Sequence, residues 1–344
     1  MAKATLQQRT HVAIDIGTSK TKIHIDKIGM VFNESTILAL DWKSNKVLAI
    51  GDAAKKFVGK LSGTLQLKYP MKRGVITDMA MLKKFLLTIL SKHSSELKDS
   101  IVTLACPTSV TELERSSLIK SIKDLGVFYV NAEDDVKLAL YGAGIDVYKT
   151  VGNLCLDLGA GKSTAGIVVN GETIQSKWTK IAGNTIDQEI IKQIKSKEQM
   201  LVGEITAEQI KNTVSSLVKN KTPLKLTAYG YDLTSGMPKD FEINENDVSK
   251  LLLAAFGSIT SLVTSVLEGS PNEIAGDVVR NGIIVTGGVG KIPGIKPFLE
   301  DFFEIPVKIA NNCLTATIEG AIKHKELTIK KYEYENNHID SLFQ

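Results

Sequence analysis

The sequence lacks paired cysteines. Cys106, Cys155 and Cys313 are odd in number, far apart and without a C-x-x-C spacing. They indicate neither a disulfide framework nor a zinc site, and free core thiols fit a reducing cytoplasm. Arginine is scarce: only Arg9, Arg73, Arg115 and Arg280 stand among 42 basic residues, a bias that we read as AT-rich coding in the host. A net charge of +4 over 344 residues is small, and no basic block is interleaved with aromatics, so nucleic acid is not an expected partner. No apolar run of the signal-peptide kind opens the sequence. No stretch reaches the roughly 18 uninterrupted apolar residues of a membrane span. The best candidate, 251–267, is broken by Gly257, Ser258, Thr260, Ser261, Thr264 and Ser265, and is expected to be a helix packed inside the protein.

What remains is 43% hydrophobic and 23% charged, the balance of a soluble globular chain, and its length suggests about two domains. Two segments look alike. One runs His11-Val-Ala-Ile-Asp15-Ile-Gly17-Thr-Ser-Lys-Thr21, the other Asn153-Leu-Cys-Leu-Asp157-Leu-Gly159-Ala-Gly161-Lys-Ser-Thr164. Each is an apolar strand ending in Asp, then a glycine turn, then β-rich sequence (21–25 and 165–169) that reads as a returning strand. The two aspartates are 142 residues apart, about one domain, which predicts an internally duplicated α/β protein. Around the hairpins the periodicity predicts strands at 101–105, 127–130, 224–229, 241–243, 282–285 and 306–309. It predicts helices at 112–125, 133–141, 185–194, 207–217, 247–267 and 315–323. The tail, 326–344, alternates charge and aromatics without a clear period and reads as an exposed extension.

A strand-end Asp followed by a Gly-Thr-Ser turn is one way to cradle phosphate. Small residues let backbone N–H groups approach phosphate oxygens, and hydroxyls add donors. Either loop alone could be a plain hairpin. A third glycine turn, Thr286-Gly287-Gly288-Val-Gly290, also follows an apolar strand, and three such loops in this order favour a nucleotide site. Asp15 and Asp157 are then candidate Mg²⁺ holders, acting through water because Mg²⁺ dehydrates reluctantly.

That order of loops resembles the actin, large heat-shock chaperone and sugar-kinase superfamily. Within it the chain resembles the MreB family of bacterial actin-like filament proteins up to about Lys323. The residues carrying the resemblance are Val31-Phe-Asn-Glu-Ser-Thr-Ile, Ala49-Ile-Gly-Asp-Ala-Ala-Lys, Arg73-Gly-Val-Ile-Thr-Asp and Cys106-Pro-Thr-Ser-Val-Thr-Glu-Leu-Glu-Arg115. Further on come Gly203-Glu-Ile-Thr-Ala-Glu-Gln-Ile-Lys211, Ser235-Gly-Met-Pro-Lys239 and Gly282-Ile-Ile-Val-Thr-Gly-Gly288.

The resemblance implies an actin-like, duplicated RNase H-like ATPase fold. Two large domains of two subdomains each would surround a central cleft holding ATP or ADP with Mg²⁺. Residues 1–149 with 317–344 would form the first domain (small subdomain about 31–74), and 150–316 the second (small subdomain about 182–246). Gly17, Thr18, Ser19 and Lys20 fall on the first phosphate loop, and Gly159, Ala160, Gly161 and Lys162 on the second. Gly183, Glu208, Lys211, Gly287 and Gly288 fall on the adenosine contacts. The plain alternative for Glu208 and Lys211 is an exposed i,i+3 ion pair. Self-assembly into protofilaments is implied, with antiparallel pairing and pairing with other MreB-like proteins both open, and with a role in cell shape or motility. A small-molecule kinase or a chaperone-type ATPase are the alternatives. The chain has neither the insertions of the former nor the substrate domain of the latter.

Three residues depart from the family pattern. Asp135 stands where a glutamate orients or deprotonates the attacking water, one methylene short; a register slip would put Glu133 there. Lys162 stands in place of a threonine that would help hold the water, unless it is a solvated strand-edge lysine. Lys20 replaces a common asparagine. Asp135 and Lys162 are therefore altered catalytic positions, and weak ATPase activity is expected. The loop 91–100 is polar where relatives often carry an apolar membrane contact. Membrane association is expected to be weak or indirect, and the location the cytoplasm, whether free in it or along the inner face of the membrane. These departures resemble an MreB paralogue of wall-less, helical swimming bacteria.

Overall fold

The structure, a computed structural model, describes residues 5–60 and 63–342, with the backbone alone for 337–342. Residues 1–4, 61–62 and 343–344, included above in the first domain, lie outside the described residues. The chain divides into two compact units, 1–147 with 315–344, and 148–314.

Each unit is built on a five-stranded sheet of one topology. In the first the order is Gly29–Ser35, Lys20–Ile25, His11–Ile16, Ile101–Cys106, Tyr129–Asp134; in the second it is Glu172–Thr179, Ser163–Val169, Asn153–Leu158, Ile283–Thr286, Val307–Ile309. In both, the first two pairings are antiparallel and the last two parallel. The central strands are buried on both faces, as their unbroken apolar character requires. This is the duplication the two Asp-Gly segments announce. Each unit also carries a three-stranded sheet: Lys46–Ile50, Leu38–Asp41 and Leu65–Lys68 in the first, Met200–Leu201, Lys225–Asp232 and Pro238–Asn244 in the second.

Helices cover the sheets with one apolar stripe each. In the first unit Met79–Leu90 buries Leu82, Phe85, Leu86 and Ile89, and Asp78 caps it by accepting from the Met81 N–H at 3.0 Å. Thr111 and Glu114 form a reciprocal capping box at the start of Glu112–Lys123. In the second unit, Glu245–Glu268 is the one helix among the described residues long and apolar enough to cross a membrane. Here it is a core helix. Val248, Leu252, Phe256, Ile259, Val263 and Val266 are buried in the unit's main cluster.

The connecting helix starts at Asp135, not at Glu133. Glu133 and Asp134 still belong to the strand Tyr129–Asp134, paired with Ala105 and Cys106. Gly142, which reads as a helix stop, ends the helix Asp135–Gly142 but has a second role. That helix crosses Ala316–Lys323 so closely that a Cβ on Gly142 would lie 1.8 Å from the Ala316 carbonyl oxygen, and one on Gly320 1.9 Å from that of Leu138. Only glycine on both helices permits this approach.

The tail is not an extension. Lys325–Leu342 is a helix docked on the first unit. Thr328 and Ile329 are buried, and Tyr332 packs on Phe128 and Tyr129 with ring centroids 5.0 and 5.1 Å apart. Beneath it runs a buried polar seam. His11 Nε2 lies 2.8 Å from Thr103 Oγ1, which lies 2.8 Å from Thr328 Oγ1; Asn131 donates to the same hydroxyl at 3.3 Å, and His324 Nδ1 is 3.3 Å away. Lys325 pairs with Asp26 at 2.7 Å. The sequence shows no period here because the contact needs only a short set of positions, 328, 329 and 332.

Candidate functional site

The two hairpin turns close with one hydrogen bond at one spacing. Gly17 N–H donates to the Lys20 carbonyl at 3.0 Å, and Gly159 N–H to the Lys162 carbonyl at 3.0 Å. A Cβ on either glycine would sit 2.7 or 2.9 Å from that same carbonyl oxygen. Lys20 and Lys162 thus occupy equivalent places, but Lys20 is exposed and Lys162 is only 8% exposed. A solvated strand-edge lysine at 162 is excluded.

Each turn is braced from a different direction. In the first unit Thr36 supports it twice: its N–H donates to the Ser19 carbonyl at 2.9 Å and its hydroxyl to the Gly17 carbonyl at 2.7 Å. The Thr18 hydroxyl accepts from Gly74 N–H at 3.0 Å, and Ser109 donates to the Gly74 carbonyl at 2.6 Å. The motif around Cys106 therefore holds Gly74, which in turn holds the Thr18 hydroxyl, whose own O–H remains a donor. In the second unit the turn is tied to a helix. Gly183 and Asn184, opening Gly183–Glu198, donate to the Gly159 and Ala160 carbonyls at 3.1 and 2.7 Å.

The aspartates face different partners. Antiparallel register sets Lys22 directly opposite Asp15, and their side chains pair at 2.8 Å, each 14% exposed. The same register sets Thr164 opposite Asp157. Asp157 accepts from the Thr286 hydroxyl at 2.8 Å, and the fully buried Thr164 Oγ1 has no hydrogen-bond partner among the described residues. Beside Asp157 there is thus a carboxylate and an unsatisfied hydroxyl on one face, a fit for a hydrated Mg²⁺. Beside Asp15 the Lys22 ammonium already balances the charge of the carboxylate. Among the described residues no group of three acidic, His or Cys side chains could hold a metal. Any Mg²⁺ would lean on phosphate and water oxygens.

The residues assigned to the adenosine come together in part. Lys211, on Glu204–Val214, straddles the Asp187 carboxylate at 2.8 and 2.9 Å and donates to the Gly183 carbonyl at 3.2 Å. Both charged groups are buried, so the exposed pair with Glu208 is overturned. Burial pushes the Asp187 carboxyl up, and Lys211 pulls it back only in part. Ala160, Val289 and Lys211 all lie near Gly183. Gly287 takes a φ of 85° and donates to the Cys313 carbonyl at 2.9 Å, while Gly288 opens a short 3-10 turn, Gly288–Lys291.

At the altered catalytic position Asp135 is buried in the first helical turn and its Oδ1 accepts from the Val136 N–H at 2.9 Å. Glu133 is committed elsewhere. It pairs with Lys137 and, at 3.0 Å, with Lys331 of the tail helix. Burial alone would raise its pKa, but the two lysines hold it at about 2. The register slip to Glu133 is therefore excluded. Leu97, in the polar loop 91–100, is buried in the first unit's core and offers nothing to a bilayer. Only the structure shows Lys22 beside Asp15 in the first unit, and Thr286 beside Asp157 and Asp187 beside Lys211 in the second. The hairpin register could have found Lys22, since closure from Gly17 to Lys20 places it across from Asp15.

The sequence pattern of the MreB/Mbl protein family matches residues 9–333. The cell shape-determining protein Mbl of Bacillus subtilis is 32% identical over 90% of this chain and 93% of its own length. The cell shape-determining protein MreB of Escherichia coli is 29% identical over 92% and 93%. The crystal structure of MreB5 of Spiroplasma citri bound to AMPPNP superposes with a TM-score of 0.90 at 37% identity, covering 95% of this chain and 99% of that one. The MamK double helical filament, at 17% identity and a TM-score of 0.76, shares the fold. With the duplicated sheets and twin Asp-Gly turns in place, these matches settle the family: the chain belongs to the MreB/Mbl family of actin-like cytoskeletal proteins.

Proposed function

We propose that this protein binds ATP and ADP, assembles with copies of itself into cytoskeletal filaments that serve cell shape or motility, and hydrolyses ATP slowly. The observation that carries the reading is the twin turn, closed identically in both units, in a chain 37% identical to a relative whose structures hold AMPPNP and ADP. Gly17, Thr18, Ser19 and Lys20 would receive phosphate oxygens, as would Gly159, Ala160, Gly161 and Lys162. Gly183, Glu208, Lys211, Gly287 and Gly288 would receive the adenosine, with Lys211 held in place by Asp187. Mg²⁺, when bound, would be held at Asp157 and would neutralise phosphate charge. The small sheets would belong to subdomains of about 31–74 and 182–246. We place the protein in the bacterial cytoplasm, with weak or indirect membrane contact and possible pairing with other MreB-like proteins.

Slow hydrolysis follows from two residues. Phosphoryl transfer to water needs an in-line water and a group that orients it or takes its proton. Asp135 reaches about 1 Å less far than a glutamate, and errors of that size cost orders of magnitude in rate. Lys162 brings a charge in place of a hydroxyl. It strengthens binding of ground and transition states alike, which leaves the chemical step no faster.

Melting the purified chain with millimolar ADP or ATP and Mg²⁺ tests the binding half, since a ligand of the native state raises stability by mass action. An unchanged melting temperature would count against it. Sedimentation and electron microscopy with ATP test assembly, and soluble protein under all nucleotide conditions would remove the filament reading.

A further inference from the structure

We propose that the buried Asp187–Lys211 pair braces the second phosphate turn through Gly183, so that both residues control how tightly this chain holds the outer phosphate of a nucleotide. The proposal rests on the nucleotide-binding reading above and adds to it a positioning role at the second turn. The helix Gly183–Glu198 opens without a side-chain cap, since the residue before it is Ala182. Its first N–H groups need acceptors, as at any helix start. Gly183 and Asn184 find theirs in the turn, at the Gly159 and Ala160 carbonyls, 3.1 and 2.7 Å away. The turn therefore caps the helix, and the helix fixes the turn.

The ion pair in turn fixes the helix start. Lys211 donates to Asp187 Oδ2 at 2.9 Å and to the Gly183 carbonyl at 3.2 Å, and Asp187 Oδ1 lies 2.8 Å from the same ammonium. Asp187 stands one turn into the helix that Gly183 opens. Gly183 is thus held on both sides, its N–H by the turn and its carbonyl by Lys211. There is little slack: a Cβ on Gly183 would lie 3.2 Å from Lys211 Nζ and from Val289 Cγ2, and 3.3 Å from Ala160 Cα. The Lys211 and Asp187 side chains are 8% and 10% exposed. Truncating either leaves a buried charge without its partner, which must then move or change its protonation. A displacement of Gly183 passes along its hydrogen bonds to Gly159 and Ala160, in the backbone that phosphate oxygens would approach.

The test is calorimetric titration of AMP and ADP, each with Mg²⁺, into the full chain. The readout is the ratio of the two affinities, from which contacts to the adenosine cancel. Lys211→Met and Asp187→Asn change the charge in opposite directions. A field acting on the phosphates would lower the preference for ADP in the first and raise it in the second, whereas loss of the brace lowers it in both. Each variant is expected to lower that preference about threefold or more. A preference that falls in one variant alone, or in neither, overturns the proposal. If either variant does not fold, hydrogen exchange of the wild type decides. At saturation ADP should slow the Gly183 and Asn184 amides about threefold or more beyond AMP, and equal slowing overturns the proposal. Absence of ADP binding by the wild type would remove the nucleotide reading itself. ADP binding with an unaltered preference in both variants removes this proposal alone.

Discussion

Asp15 and Asp157 end equivalent strands, precede equivalent turns and sit in sheets of identical order, yet their surroundings have diverged. The first faces a lysine and is braced by a threonine from the next turn; the second faces a threonine and is braced by a helix terminus. The twin lysines differ in the same way, one exposed and one buried. Backbone geometry is what the duplication preserves, because the glycine turn tolerates no Cβ, whereas the side chains across the hairpin are free to take up separate tasks.

The comparison extends to the whole units, and it can be broken at the helix crossing. Gly320→Val should push a branched side chain into the Leu138 carbonyl and destabilise the first unit by ~3 kcal/mol or more. Hydrogen exchange should show the first unit opening while the second, whose main apolar cluster is drawn from 154–307, keeps its protection. Uniform loss of protection in both units would show them to be one cooperative block.

Acid should separate the units next. All five histidines lie in the first unit and none in 148–314. Burial, the leading cause in each case, holds His11 and His324 at about 4, against 6.5 in an unfolded chain. The unfolded state therefore takes up protons first as pH falls. Their contribution is complete above pH 6.5 and drains away down to about pH 4. Each tenfold difference in proton affinity between the folded and unfolded chain is worth ~1.4 kcal/mol. Glu133, held at about 2 against 4.5, extends the loss below pH 4.5. Urea midpoints across this range should fall for the first unit and hold for the second. His11→Gln should flatten the upper part of the curve.

Catalysis gives a smaller effect. Lys162→Thr with Asp135→Glu should raise phosphate release by about tenfold, more than either change alone if both residues serve one lytic water. A double variant no faster than wild type at equal filament mass would reject this account of the site. Smallest is the contrast of the twin lysines in the nucleotide-free protein. Lys162→Ala should cost ~1 kcal/mol or more and Lys20→Ala less than ~0.5 kcal/mol, measured by urea unfolding. Equal costs would mean that the burial of Lys162 carries no energetic weight.

Much of this is legible in the sequence because it rests on local chemistry. The strand-end aspartates, the obligatory glycines and the spacing of one domain place the turns and predict the duplication. The rest depends on contacts between distant segments. The partner of Lys211 is Asp187, on another helix, and nothing in either segment declares it. Gly142 looks like a helix stop because only the opposing helix reveals the close approach. The tail is polar enough to pass for solvent-exposed sequence, since Thr328, Ile329 and Tyr332 suffice to seat it. The helices Met79–Leu90, Asn272–Asn281 and Ile295–Phe303 are absent from the elements that the periodicity predicts.

The first unit is interrupted. Its sheet is complete by Asp134, but Ala13, Ala105 and Leu138 share their apolar cluster with Ile318 and Ala321, which lie beyond the whole of the second unit. On the ribosome this fixes an order of events. The segment 148–314 leaves the tunnel as an uninterrupted length and can reach its own core while the earlier segment still waits for its last helices. The half that is made first is finished last, and its unfinished face is the one that the Ala316–Lys323 helix must cover.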